Sequence, residues 1–411
     1  MEKIRSRLFL LLGFIHFLLN VFLLIPPLTY TSLVSIVWFP KLLKNKSILK
    51  YLGLIFLIFL YYALIHFFNG VEWQYYIKSS LFMCFIVVST IAMYSYLKEN
   101  IEKIPILFRY LPFAIFGVFL LGIVFYLSDY SYLFWKQHTF VEEGHFTPRF
   151  LGLTYEPSYF ALSIAPIFVY SLLKVLFNVS IRNLGVLLMV SLPIIATLSF
   201  GFFITAFLSI VIGFGFVFIR YREFKRILIY PFILIFISVI AISITDSSIS
   251  KRFDIILEGN DSSVNGRTSE AFYLAYQCAK QKSVLLGIGP GQIKVIGEDV
   301  IRPYYSAWAP IGYSKENWPI LSIPNSSAET LAIYGIIGLI IRFSLQIFLF
   351  FRFKVYQNYF NLILFLFIFI YQLMGSFITS SIEYVIWIFA ILPIFQQFQI
   401  KSDNKLSELK E

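Results

Sequence analysis

The chain has 411 residues; 59% are hydrophobic, only 13% are charged, and the mean hydropathy is +0.80. Water cannot solvate that much apolar surface, so composition excludes an ordinary soluble protein and requires lipid around most of the chain. The net charge of +11 is scattered over helix ends, which argues against nucleic acid and for topology signals facing anionic lipid headgroups.

The first element starts with Lys3-Ile4-Arg5-Ser6-Arg7 ahead of an apolar run to Ile25. It resembles a signal sequence but lacks an Ala-x-Ala site, and it reads as a retained first span. Apolar runs then predict spans near 27–40, 51–68, 75–97, 107–128, 157–178, 184–199, 201–219, 227–245, 327–350, 358–376 and 382–399. The second is short, with Pro26, Pro27 and Pro40 at its ends, and a re-entrant turn is the alternative there. Spans 184–199 and 201–219 adjoin and predict a tight helical hairpin.

With the N-terminus inside, the inner segments carry 21 Lys and Arg, including Lys41, Lys44, Lys46, Lys50, Arg220, Arg222, Lys225 and Arg226. The short outer segments hold only Lys78, Lys136 and Arg149. Positive charge is retained inside, so both termini are expected to be cytoplasmic and both sizeable loops outer. The fold class is an all-α polytopic membrane protein of about twelve spans. Residues 1–245 form nine spans with a short outer loop at 129–155. Residues 246–325 form an outer loop capping the bundle, and residues 326–411 the last three spans and a tail. Within the long loop, residues 268–283 predict a helix with Phe272, Tyr276 and Ala279 on one face. That is too little apolar material for an independent core, so the cap must lean on the bundle.

Cys84 sits in an apolar run and Cys278 in the loop, so no disulfide is expected; no His/Cys spacing suits a metal, and no cofactor is expected. The chemistry-bearing residues gather at outer span ends. Arg149 and Tyr155-Glu156-Pro157-Ser158 lie where the first loop re-enters the membrane. Glu156 before Pro157 is either an acidic cap on a Pro-started helix or a carboxylate able to orient or deprotonate a sugar hydroxyl. Arg149 is an interfacial anchor or a cation at the same mouth. Arg267, in Asn265-Gly266-Arg267-Thr268, is a loop arginine or a bidentate phosphate partner. Arg302 is a weaker cation of that kind. The run Gly287-Ile288-Gly289-Pro290-Gly291 is a tight turn or an anion-binding nest, with no Walker A context. Asn325 and Glu329 stand where the long loop re-enters, and Glu383 starts the last span. Acids at membrane depth are costly enough to count as site candidates. His16 and His66 are expected to pack or hydrogen-bond between helices, Arg342 to snorkel inward from its span. His138 and His145 lie on the first outer loop. No Asp-x-Asp pair is present, so arginines would have to neutralise a diphosphate leaving group.

In these motifs and their order the chain resembles the O-antigen polymerase (Wzy-like) and O-antigen ligase superfamily of bacterial membrane glycosyltransferases. The resemblance rests on Arg149 with Gly152 and Glu156-Pro157-Ser158, then Arg267, the Gly287–Gly291 run, Asn325 with Glu329-Thr330-Leu331, and Gly335 with Gly338. It implies a GT-C-like fold in the inner membrane and a large periplasmic loop. It implies metal-free transfer of a glycan from undecaprenyl diphosphate, with Arg149 and Arg267 at the diphosphate. Glu156, then Glu329, are the candidates for activating the acceptor. Tyr155, Gly289, Arg302 and Asn325 are the expected substrate contacts. The partners implied are the lipid-linked oligosaccharide, membrane lipids and a chain-length regulator protein. Ligases carry a His before the Asn of the fourth motif; Pro324 stands there in this chain, which favours polymerisation over transfer to lipid A core. A lipid-linked oligosaccharide flippase is the alternative of another class. It calls for pseudo-symmetric halves and ionisable groups deep within spans.

Overall fold

A computed structural model describes residues 2–19, 23–25, 28–29, 40, 42–44, 46–139, 146–154, 156–221, 258, 262–305 and 322–400. Residues 30–39 of the second expected span, the ninth span 227–245, Tyr155, His145 and the tail 401–411 lie outside the described residues.

The chain is mostly helical. Helix α1 covers Glu2–Leu19, and a small hairpin of β1 (Leu23–Ile25) and β2 (Leu28–Thr29) follows. Leu28 and Thr29, expected to open the second span, are therefore strand. Then come α2 (Lys46–Phe68), α3 (Trp73–Glu99) and α4 (Ile104–Phe125). A hairpin of β3 (Trp135–Thr139) and β4 (Phe146–Phe150) precedes α5 (Pro157–Phe177), α6 (Ile181–Ala196) and α7 (Phe200–Tyr221). The loop helices are α8 (Ser269–Lys280) and α9 (Ile293–Tyr305); α10 (Ser326–Arg352), α11 (Tyr359–Tyr371) and α12 (Ser381–Ile391) complete the bundle. Among the described residues, five helices are long and apolar enough to cross a membrane by length and composition: Trp73–Glu99, Ile101–Phe125, Pro157–Phe177, Phe200–Arg220 and Ser326–Arg352, the last interrupted at Gly335.

Local chemistry sets the helix starts. Pro157 begins α5, where its missing N–H removes no intrahelical bond. Ser180, Asn325 and Asn358 cap α6, α10 and α11 by accepting from the amides of Asn183, Ala328 and Phe360. Helix α5 is buried along nearly its whole length and forms the central rod. Around it Phe108, Phe360, Phe389 and Phe395 pack edge to face, with ring centroids 4.7 to 6.2 Å apart. The β3–β4 hairpin lies against this core. Phe150 is fully buried against Phe119, Trp135 and Phe160, and the Trp135 indole donates to Gly122 O at 2.7 Å.

Helix α7 starts beside the α6–α7 turn at Thr197 and ends where Phe214 and Arg220 meet Tyr359 and Tyr356. Residues 262–267 stand back at the starting end, beside Glu156. Helix α11 leaves the far end and has only 13 residues, about 20 Å against a hydrocarbon core of about 30 Å. Its tip and the following loop 372–380 therefore sit within the bundle, below the level of the longer helices' ends.

Helix α10 is not one rod. Gly335, at φ 65 and ψ −167, breaks it into 326–334 and 336–352. Arg342 donates to Ser326 Oγ at 3.0 Å, although sixteen residues of straight helix would separate the two by about 24 Å. The halves thus meet at an angle sharp enough to fold the second back beside the first. The break frees backbone groups that lipid could not satisfy, and loop residues 284–289 take them up. Ile336 N donates to Val284 O at 3.0 Å and Ile337 N to Leu285 O at 3.2 Å. In return Ile288 N donates to Ala332 O and Gly289 N to Ile333 O, both at 2.9 Å.

Candidate functional site

Arg267 and Glu156 come together although 111 residues separate them. Arg267 Nη2 lies 3.4 Å from Glu156 Oε1, with the side chains 40% and 27% exposed. Both are therefore open to a ligand. Glu156 occupies the cap position of α5 in extended backbone, with no side-chain cap bond, so its carboxylate is not consumed by its own helix. The positive end of the α5 dipole faces it. Arg267 follows a helical turn, Ser262–Asn265, and its amide is bonded to Val264 O at 3.1 Å.

The backbone under Arg267 is fixed from below. Asn325, fully buried, donates from Nδ2 to Arg267 O and to Leu373 O, each at 2.7 Å, while its Oδ1 accepts from Ala328 N at 2.9 Å. One amide thus joins the loop, the start of α10 and the end of α11. Ser326 N and Ser327 N add bonds to Gly375 O and Gln372 O. Glu329 is 4% exposed and accepts from Ile378 N at 2.8 Å, stapling α10 to the same loop.

The other expected site residues take different places. Arg149 points to the α6–α7 turn, donating from Nε to Thr197 O at 2.8 Å and from Nη2 to Leu198 O at 3.4 Å. Leu198 is in left-handed backbone at φ 49, and these bonds hold that turn. Arg302 is carried on the last turn of α9. Asn325 has no surface to offer a substrate, and the Gly289 amide is taken by Ile333 O; both belong to the frame. The anion-nest reading of the glycine run thus gives way to close packing: a Cβ on Gly287 would stand 2.4 Å from the Ile333 backbone, and one on Gly291 2.3 Å from Tyr75 O. His66 is fully buried against Gly289, and its two ring nitrogens have no hydrogen-bond partner among the described residues. His138 pairs with Thr147 in the β3–β4 ladder.

Helix α8 buries part of the face the sequence suggested: Ala279 is buried and Phe272 packs at the edge of the core, but Tyr276 turns outward. Ala271, Leu274, Ala275, Cys278 and Ala279 are buried, whereas Tyr276 is 44% exposed. Small side chains let α8 close on Ala328 and Ala332 of α10, with Phe272 packed at the edge of that contact. Burial pushes the Cys278 thiol up to about 12.

Arg342 does not snorkel. It is tied to Gln372 Oε1 (2.9 Å), Thr330 Oγ1 (3.1 Å), Ser326 Oγ (3.0 Å) and Glu383 Oε1 (2.5 Å). Gln346 and Gln372 exchange amide bonds at 2.8 Å beside it. The sequence signal was present as Arg342, Gln346, Gln372 and Glu383 within apolar runs, but nothing in it paired them.

No His/Cys/Asp/Glu group of metal-binding form occurs among the described residues. Compared with known proteins, the chain matches no family model and no curated sequence.

Proposed function

We propose that this chain is a membrane glycosyltransferase that polymerises undecaprenyl-diphosphate-linked repeat units of O antigen or a related surface polysaccharide. The single observation carrying the reading is the half-exposed Arg267–Glu156 pair at the start of a buried helix, a cation beside a carboxylate where a lipid-anchored substrate can meet water. In the reaction, an acceptor sugar hydroxyl attacks the anomeric carbon of the donor glycan. The new glycosidic C–O bond forms as the bond from that carbon to the phosphate oxygen breaks. Undecaprenyl diphosphate departs with the electron pair, stabilised by Arg267, and the hydroxyl proton passes to Glu156. Arg149 is assigned to the frame, holding the α6–α7 turn.

The finer topology belongs to the same reading: about twelve spans, both termini cytoplasmic, the Arg267–Glu156 end periplasmic. The resemblance in motif order and the charge asymmetry of the sequence support it. The test is purified full-length chain in vesicles, incubated with lipid-linked repeat units in the presence and absence of lipid A core. A ladder of longer glycans is expected from the native chain, and Arg267→Ala is expected to remove it, with a loss of roughly 100-fold or more. Glycan passed only to lipid A core acceptors would point to a ligase, and movement of units across vesicles without elongation would point to a flippase. A native ladder from Arg267→Ala would end the assignment.

A further inference from the structure

The buried charges of the bundle lie directly beneath the proposed site. Arg342 and Glu383 have side chains 13% and 1% exposed. Ions at this depth are costly, and an apolar pair of similar volume would hold helices together as well or better. The bonds of Arg342 show what the charge accomplishes. Two of its partners, Ser326 and Gln372, are the sequence neighbours of Asn325 and Leu373. Asn325 is the residue that grips Arg267 O and Leu373 O together. A planar guanidinium with donors in a fixed fork joins four elements at once: the two halves of α10, the tip of α11 and the first turn of α12.

We infer that Arg342, with Glu383, is the positioning residue that fixes Asn325 and hence sets Arg267 against Glu156. This rests on the glycosyl-transfer reading above. Arg342 itself touches no substrate; it acts through the backbone of Arg267. Glu383 orients the fork and balances its charge, and Trp387 Nε1 donates to the same carboxylate oxygen at 3.4 Å.

The experiment compares steady-state elongation by full-length chain in lipid nanodiscs. Arg342→Met combined with Glu383→Leu removes both charges together, so neither is left buried alone. The expected result is a kcat lower by roughly 100-fold, because small misplacements of a group acting in the transition state have effects of that order. KM for the lipid-linked unit is expected to stay within about threefold, since binding of the polyprenyl chain does not use Arg342. Added to Arg267→Ala, the paired change is expected to cause no further loss. A multiplied loss, or native kcat in the paired variant, overturns the inference. Ser326→Ala deletes one link and keeps the ion pair; should the paired variant not fold, it decides the point by a lower kcat or a native one. A substrate-free readout separates this claim from the reaction. A nitroxide on Tyr273→Cys of α8, in a chain with Cys84 and Cys278 changed to alanine, is expected to gain mobility in either variant. Unchanged line shapes overturn the positioning role even where polymer forms. A native chain that makes no polymer but loosens α8 on loss of Arg342 fails the functional reading alone.

Discussion

Arg267 and Glu156 are poorly placed to stabilise the fold. A 3.4 Å pair between side chains 40% and 27% exposed is screened by water and contributes at most about 1 kcal/mol. Arg267→Ala and Glu156→Gln should therefore leave the thermal midpoint nearly unchanged while elongation falls, for Glu156→Gln by roughly 100-fold or more if the carboxylate accepts the acceptor proton. Differential scanning fluorimetry beside the elongation assay checks both halves. Near-native turnover by Glu156→Gln would return Glu156 to the role of an acidic helix cap. Glu329 is the internal control. It is buried and bonded to Ile378 N, so Glu329→Ala strands that amide and should lower stability by about 1–3 kcal/mol. A Glu329→Ala chain with a native midpoint would show that the staple between α10 and loop 372–380 carries little.

At the level of elements, the broken helix and its strap impose a tight steric demand on each other's backbone. Gly335 and Gly287 each lie against the other segment's backbone: a Cβ on Gly335 would stand 2.3 Å from Leu285 C and O, and one on Gly287 2.4 Å from Ile333 C and O. Both have positive φ, and the φ 65, ψ −167 of Gly335 lies where only glycine is at ease. Gly335→Ala should lower stability by about 1–3 kcal/mol from backbone strain alone, with the overlap adding to it. Its accumulation in membranes, compared with Gly185→Ala in α6, where a Cβ meets nothing within 4 Å, measures this. The strap continues from α8, so the burial of α8 can be tested by Cys278. With its thiol pushed up to about 12, its thiolate fraction at pH 8 is about one in ten thousand. In a Cys84→Ala chain, maleimide should label Cys278 only after denaturation; fast labelling of the folded chain at pH 8 would mean that α8 is not seated. Much of this level was legible beforehand. Ten apolar runs return as α1–α7 and α10–α12, because helices in lipid must be continuously apolar, but α1 runs Glu2–Leu19 rather than 8–25, α12 stops at Ile391 rather than 399, and α10 is broken at Gly335. The break at Gly335 was not legible, because a glycine inside an apolar run is ordinary and only the paired strap gives it meaning. The β hairpins were missed because strands of 2, 3 and 5 residues leave little periodicity to read.

For the whole molecule, cations collect at both ends of the bundle. At the end away from the Arg267–Glu156 pair, Lys174 faces Arg109 and Arg182, and Arg220 lies over the Tyr356 ring at 5.0 Å. The other end collects Arg149, Arg267 and Lys282, with Lys282 donating to Gly70 O. Of the site, the sequence made the two members of the central pair legible as candidates, since Glu156 precedes Pro157 and Arg267 opens a loop helix. It could not show that Asn325 would be spent on the frame, because a side chain's partners 58 and 48 residues away leave no local trace. The orientation remains a matter of charge, and it is open to direct measurement. Ile181 is 88% exposed beside Arg182 at one end, and Tyr273 is 47% exposed on α8 at the other. Each is changed to cysteine in a chain with Cys84 and Cys278 replaced by alanine. Positive charge is held on the cytoplasmic side. An impermeant maleimide applied to intact spheroplasts should therefore label the residue-273 cysteine at once and the residue-181 cysteine only after permeabilisation. The reverse pattern would put the Arg267–Glu156 end in the cytoplasm, where a chain grown at that pair could not be extended at the outer face.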